Sequence, residues 1–202
     1  MKKSIFHKLS DITIIHHRAA FADVEKRIAS QESVFMTLAR NRYSCRNFSD
    51  APVSDTEISH IIEAARLAPS AENKQPVHVW VLRSPEALSK LDSSTQYRYG
   101  APVVFMVGCN PKAAWVRKYD GKNGAEIDAA IVGTHIMLEA AALGLGNVWV
   151  GSFDPEKIAA DFPETAGYEI VALFPVGHPA KDDAPGPRHA ERVSKEEFVT
   201  EL

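Results

Sequence analysis

Apolar positions fall at near-helical spacing from Arg18 to Arg40, where Phe21, Val24, Ile28, Phe35 and Leu38 approach one face. A second helix announces its own start. Ser54-Asp55-Thr56-Glu57 has the spacing of a capping box, Ile58, Ile61, Ile62 and Ala65 follow on one side, and Pro69 sets the end. The period then changes from that of a helix to that of a strand. Val77 to Leu82 is rich in β-branched residues, and Ser84-Pro85-Glu86 opens a short helix with an N-cap and a first-turn proline. Pro102 to Val107 reads as a buried strand. Residues 110–125, with Trp115, Tyr119, Gly121 and Gly124, read as a mobile connection or a short helix.

The longest helix is expected from Glu126 to Leu143. Ile127, Ala130, Ile131, Ile136, Met137, Leu138 and Ala141 make it apolar nearly all round, which calls for burial on more than one side. Gly144-Leu145-Gly146 supplies its stop. A strand at Asn147–Val150, a helix capped by Asp154-Pro155, a strand at Glu169–Val176 and a proline-rich tail follow, with Ser194-Lys195-Glu196-Glu197 as a last capping box. This order suits an α+β fold, a mixed sheet flanked by helices. Two arrangements bury the long helix: a partner subunit, or the chain's own sheet wrapped around it. The pattern alone leaves both open.

With 202 residues, the chain suits one core or one protomer of an obligate dimer. A net charge of -3 argues against general affinity for nucleic acid or an anionic membrane, yet a few clustered arginines would barely move that total. Cys45 and Cys109 form no CxxC pair, which suits a reducing compartment better than a disulfide framework or a zinc knuckle. Behind the basic start, Lys8, Asp11 and His16-His17 interrupt any apolar run, so no export signal is read. No stretch approaches the ~20 apolar residues of a membrane span. The expectation is a soluble, cytoplasmic protein.

Four segments carry candidate chemistry. In Arg42-Tyr43-Ser44-Cys45-Arg46, two guanidiniums four apart, with hydroxyls between them, can converge on one phosphate; a basic helix end in solvent is the plainer reading. Ala68-Pro69-Ser70-Ala71-Glu72-Asn73-Lys74-Gln75-Pro76 joins a helix to a strand, and its small and amide side chains let backbone approach a flat ligand; a proline-bounded turn is the alternative. Leu145 to Pro155 ends a strand in Gly151-Ser152. It holds no dinucleotide fingerprint, and there is no Walker lysine motif. Val176-Gly177-His178-Pro179 leads to Lys181 and Arg188, a possible second phosphate ligand or a solvated cation. His135, in the long apolar helix, reads as a satisfied core histidine, and no metal site is expected from His16-His17 or His178.

Taken in order, the four segments resemble the nitroreductase family, whose members show R-[RHY]-S-x-R, then A-P-S-x-x-N-x-Q-P-W, then G-L-G-x-x-W-[IV]-G-x-F-[DN]-P, then G-[YH]-P followed by basic residues. Here they read Arg42–Arg46, Ala68–Pro76, Gly144–Pro155 and Gly177–Arg188, over about residues 34 to 200. Val77 stands where the family usually has Trp. The chain divides into a leader at 1–33, partly helical and longer than the family usually has before its first motif, and a domain at 34–202 that the resemblance implies binds FMN and is built as an intertwined homodimer. The resemblance implies that Arg42, Tyr43, Ser44 and Arg46 contact the FMN phosphate and ribityl chain, with Arg188 as a second phosphate ligand. Pro69, Ser70, Ala71 and Asn73 would form the loop that the other subunit lays on the flavin ring, and Gly151 and Ser152 would approach N5 and O4. The implied activity is hydride transfer from NADH or NADPH to an electron-poor acceptor, such as a nitroaromatic or a quinone, by a ping-pong mechanism, with no side-chain acid–base pair required. The alternatives are a non-catalytic flavin-binding or sensor protein, or a relative specialised in dehalogenation, flavin fragmentation or azoline oxidation.

Overall fold

A computed structural model describes residues 33–202. Contacts divide the chain into two units at Asn41. Helix α1 (Val34–Asn41) falls in the first. None of its residues is buried, and Val34, Phe35 and Met36 are exposed. The rest of the helix expected from Arg18, the leader up to residue 32 and the His16-His17 pair lie outside the described residues.

The second unit runs α2 (Asp55–Arg66), β1 (Val77–Leu82), α3 (Pro85–Asp92), β2 (Val103–Cys109), α4 (Ala125–Ala142), β3 (Gly146–Asn147), α5 (Pro155–Asp161), β4 (Glu169–Gly177) and α6 (Lys195–Phe198). Local signals set most of these boundaries. Ser54 Oγ accepts from Glu57 N at 3.2 Å while the Glu57 carboxylate accepts from Ser54 N at 2.7 Å, the reciprocal pair that a capping box requires. Ser84 and Asp154 cap α3 and α5, each with a proline in the first turn. Helix α4 ends in a Schellman turn: Gly144 takes φ 77°, its N–H donates to Ala141 O, and Leu145 N–H donates to Ala140 O.

The strands stand in the order β1-β2-β4-β3. All three strand pairs are antiparallel, and parallel pairing among the described residues is confined to a bridge between Ser44 and Asn147 at the β3 edge. Every residue of β2 is buried, because β2 is central and both of its faces are covered. Val103, Phe105, Val107 and Cys109 point to one layer, with Ile58, Ile61 and Ala65 of α2 and Ala129, Val132 and Ile136 of α4. Val104 and Met106 point to the other, with Leu91 of α3, Ile158 of α5 and Leu173 of β4. The sheet therefore lies between two helical layers, and period-2 alternation assigns each strand residue to one of them.

Two expectations change. Residues 110–124 close into a hairpin that runs into α4 at Ala125, and no separate helix forms there: Val116 bridges Asn123, Arg117 N–H donates to Lys122 O at 2.9 Å, and Gly124 N–H donates to Trp115 O at 2.9 Å. The strand expected at Asn147–Val150 is only Gly146–Asn147, with a separate bridge from Val150 to Leu173. Between them Trp149 leaves the ladder and packs edge-on against Phe174, with ring centroids 4.9 Å apart. Helix α4 buries one side, yet Ile127 is 52% exposed and Ile131, Met137 and Leu138 are only half-buried. Among the described residues, no helix is long and apolar enough to cross a membrane.

Candidate functional site

The segment Arg42–Ser49 lies along the sheet edge. Cys45 N–H donates to Asn147 O at 3.0 Å, Ser49 N–H to His178 O at 2.9 Å, and Ala180 N–H to Asn47 O at 2.9 Å. Cys45 is fully buried because the chain opposite is glycine: a Cβ on Gly146 would come within 2.4 Å of Cys45 Sγ. This close fit anchors the backbone from which Arg42, Tyr43, Ser44 and Arg46 project.

Those four residues line a cavity of about 420 Å³ together with Gly186, Pro187, Arg188, His189 and Arg192. The structure thus brings Arg188 to the Arg42–Arg46 cluster, across more than 140 positions of sequence. His189 and Arg192 were missed by the sequence reading, although Arg188 and Arg192 repeat the four-residue spacing of Arg42 and Arg46. Arg46 Nη1 donates to Ser44 O at 3.2 Å, and Arg192 Nη1 donates to His189 O and Glu191 O at 2.7 and 2.6 Å. Arg42 and Arg188 have no hydrogen bond or ion pair with any described residue, so two whole guanidinium forks remain for a ligand. Burial, reinforced by the Asp183 carboxylate, pushes the Tyr43 phenol and the Cys45 thiol up to about 12, so both stay protonated at neutral pH.

Pro69, Ser70, Ala71 and Asn73 do not line this cavity. Their loop is held in an unusual backbone state: Glu72, Asn73 and Gln75 all have positive φ, at 53°, 53° and 49°. Each such residue costs roughly 1–3 kcal/mol, less for Asn than for the others, and persists only when its surroundings impose it. Ser70 Oγ accepts from Gln75 N–H at 2.9 Å, and the Gln75 amide donates to Asn73 Oδ1 at 3.1 Å. Ala71 N–H donates to Asp128 Oδ1 at 3.1 Å. Asp128 sits in the first turn of α4, is 2% exposed, and keeps Oδ2 buried without a partner. No sequence signal marks it, since an acid in a first helical turn is ordinary. The loop's far side, Glu72 and Lys74, faces the hairpin residues Ala114 to Tyr119 across a second cavity of about 520 Å³.

Gly151 and Ser152, both exposed, line a third cavity of about 190 Å³ with Tyr97, Tyr99, Trp149 and Arg46. Arg46 is therefore common to this cavity and the arginine-lined one. Thr95, buried at 7% exposure, fixes the Gly151-Ser152 segment: its Oγ1 donates to Ser152 O at 2.8 Å and accepts from Tyr97 N–H at 3.1 Å. Asp154 N–H donates to Ser94 O at 2.8 Å. Thr95, Tyr97 and Tyr99 were not foreseen. His135, half-buried, has Nδ1 2.9 Å from Ile131 O in its own helix. Among the described residues, no group of three or more His, Cys, Asp or Glu side chains is placed to hold a metal ion.

A sheet between two helical layers, with an arginine-lined cavity at one edge that shares Arg46 with a smaller aromatic one, defines an α+β class suited to a flat ligand carrying an anionic tail. The chain belongs to the nitroreductase family, whose model matches residues 39–99 and 94–178. A protein of Archaeoglobus fulgidus that carries an NADH dehydrogenase/NAD(P)H nitroreductase name is 34% identical over 149 residues, covering 70% of this chain and 83% of its own. A nitroreductase family protein from Clostridium difficile 630 superposes with a TM-score of 0.75 at 35% identity, over 81% of this chain and 95% of that one. A protein from Desulfovibrio desulfuricans described as a nitroreductase, solved in complex with FMN, gives a TM-score of 0.70 at 28% identity, over 85% of this chain and 98% of that one.

Proposed function

We propose that this chain is an FMN-dependent oxidoreductase that takes hydride from NADH or NADPH and passes it to an electron-poor acceptor. The observation that carries this reading is the arginine-lined cavity, where Arg42 and Arg188 offer guanidiniums with no described partner. A dianionic phosphate suits that donor set, since each planar fork can hold two oxygens. Tyr43 and Ser44 add hydroxyls along the same wall, and Arg46 leads to the cavity of Gly151 and Ser152. FMN supplies, when bound, the two-electron hydride chemistry that no side chain here provides.

The chain's own residues then bind and orient. Thr95 holds the Ser152 carbonyl, and so the exposed Gly151-Ser152 backbone, in one place. The loop of Pro69, Ser70, Ala71 and Asn73 is fixed by Asp128 in a shape suited to lying flat against a ring. Because that loop does not line the arginine cavity of its own chain, the reading assigns it to the flavin held by a second copy. The outer face of α4, where Ile127 is half exposed, together with Val193, Phe198 and Val199 of the tail, gives such a homodimer apolar surface to bury. Reductant and acceptor would use one site in turn, which predicts ping-pong kinetics. The cytoplasm is the expected compartment, since both cysteines are free.

Purified protein should be yellow with about one FMN per protomer, should bleach on addition of NADH or NADPH under argon, and should recolour on addition of a quinone or nitroaromatic. Sedimentation at micromolar concentration should give a dimer. A preparation that stays colourless after incubation with FMN would refute the flavin assignment, and a flavin-loaded monomer would refute the shared site.

A further inference from the structure

We propose that the cavity between the 70–75 loop and the 114–119 hairpin selects flat aromatic ligands that carry a negative charge. The proposal rests on the flavin reading above for its place in the reaction, because one wall of this cavity belongs to the loop assigned to the flavin ring.

The hairpin is unusual in charge. Residues 110–124 carry Lys112, Arg117, Lys118 and Lys122 against a single acid, Asp120, a local net of +3 in a chain of net -3. Apolar and aromatic surface comes with that charge. Trp115, Val116 and Tyr119 line the cavity, and Val116 and Tyr119 remain 48% and 84% exposed, which is costly surface to leave in water without a use. Arg117 is neutralised by both oxygens of Asp120, leaving Lys118 and Lys74 as the cations able to answer a ligand. Lys118 Nζ stands 5.1 Å from the Tyr119 ring centre, so charge and aromatic face are offered together. Lys74 is only loosely paired, its Nζ 3.8 Å from Glu72 Oε2, and a ligand anion nearer than that carboxylate would displace it.

Both walls are tied by hydrogen bonds. The hairpin is closed by its own backbone bonds and tied at its base, where Asn123 Nδ2 donates to Pro111 O at 2.8 Å and Asn123 Oδ1 accepts from Ala125 N–H at 2.9 Å. The opposite wall is tied to α4 through Ala71 and Asp128. Two walls held by their own hydrogen bonds about a cavity of about 520 Å³, with ammonium groups in the lining, suit a flat ring with a carboxylate or a phosphate near it. That anion has two sources: a carboxylated aromatic acceptor, or the additional phosphate that distinguishes NADPH from NADH.

The test uses full-length protein and reads binding by quenching of tryptophan fluorescence, with Trp115→Phe identifying the reporter, and reads turnover in parallel. The probes are 4-nitrobenzoate against 4-nitrobenzyl alcohol, and NADPH against NADH. At low salt the more negatively charged member of at least one pair should bind about two- to fivefold more tightly, the range of an exposed charge contact. Raising salt from about 0.1 M to about 1 M, which shortens the screening length from about 10 Å to about 3 Å, should shrink that preference. In the Lys74→Ala, Lys118→Ala double variant the preference should disappear while 4-nitrobenzyl alcohol binds as before. A preference confined to the nitrobenzoate pair assigns the anion to the acceptor, and one confined to the nicotinamide pair assigns it to the reductant. Equal affinity within both pairs, or a preference that survives the double substitution, overturns the proposal. Because binding is read without turnover, a colourless or inactive protein would sink the flavin reading while this result still stood or fell by itself.

Discussion

Arg42→Ala and Arg188→Ala probe the arginine-lined cavity most directly, because neither guanidinium is engaged with any described residue. A hydrogen bond to a charged group contributes about 1.5–3 kcal/mol. Arg42 is half-buried and should fall within that range, whereas Arg188 is exposed and solvent-screened, which lowers its share to about 1 kcal/mol. Together they should be worth about 2.5–4 kcal/mol, and at 1.4 kcal/mol per decade the double variant should weaken FMN binding roughly 60- to 700-fold. Arg46 and Arg192 already spend part of their donor capacity on carbonyls, so alanine there should cost less. The assay is quenching of FMN fluorescence on titration with apoprotein, run beside riboflavin, which lacks the phosphate. Riboflavin affinity should be the same in wild type and double variant. If riboflavin and FMN lose equally, the arginines support the fold and not the phosphate; if neither loses, the cavity does not bind flavin through them.

Three further outcomes follow from the geometry. Asp128→Ala, which removes the acceptor for Ala71 N–H, should leave FMN bound through the arginines but lower kcat about tenfold or more, with Asp128→Asn retaining most activity through its carbonyl oxygen; equal kcat in Ala and wild type would show that the loop needs no such anchor. Gly146→Ala places a Cβ 2.4 Å from Cys45 Sγ, an overpacking worth about 1–3 kcal/mol, so the melting temperature should fall by roughly 2–12 °C; an unchanged melting temperature would refute the close packing. Burial pushes Cys45 and Tyr43 up to about 12 and Cys109 up to about 11, so the folded chain retains protons that an unfolded chain releases above its ordinary values of 9 for Cys and 10 for Tyr. Stability should therefore hold below about pH 9 and decline as pH rises toward 12, and melting curves that do not shift between about pH 8.5 and 10.5 would contradict this.

Much of the fold was legible because its signals are local. Ser54 and Glu57 are three residues apart, the stop at Gly144 needs only the preceding turn, and the unbroken apolar run from Val103 to Val107 marks a strand covered on both faces. What was not legible depends on distant partners. Trp149 leaves its strand for Phe174, which lies 25 positions on, and Asp128 reaches back 57 positions to Ala71. Glu72 and Gln75 rarely adopt positive φ, so their residue types argue against the conformation they hold. Arg188 was placed beside Arg42 through the four motifs read together, while Arg192 and His189, lying beyond the last motif, carried no mark. The hairpin at 115–124 has neither the alternation nor the two-residue turn that would have announced it.

The joining of residues near position 45 to residues near positions 147, 180 and 188 has a consequence for the order of events in the cell. A ribosome releases the early arginines long before the late ones, and until the last of these has emerged the proposed phosphate site is incomplete. Closing so long a span is also entropically late in folding. Cofactor binding should therefore tighten last, once the late arginines have emerged, and a protein truncated before Arg188 should hold FMN about fivefold or more weakly than the full chain, by the roughly 1 kcal/mol assigned to that guanidinium.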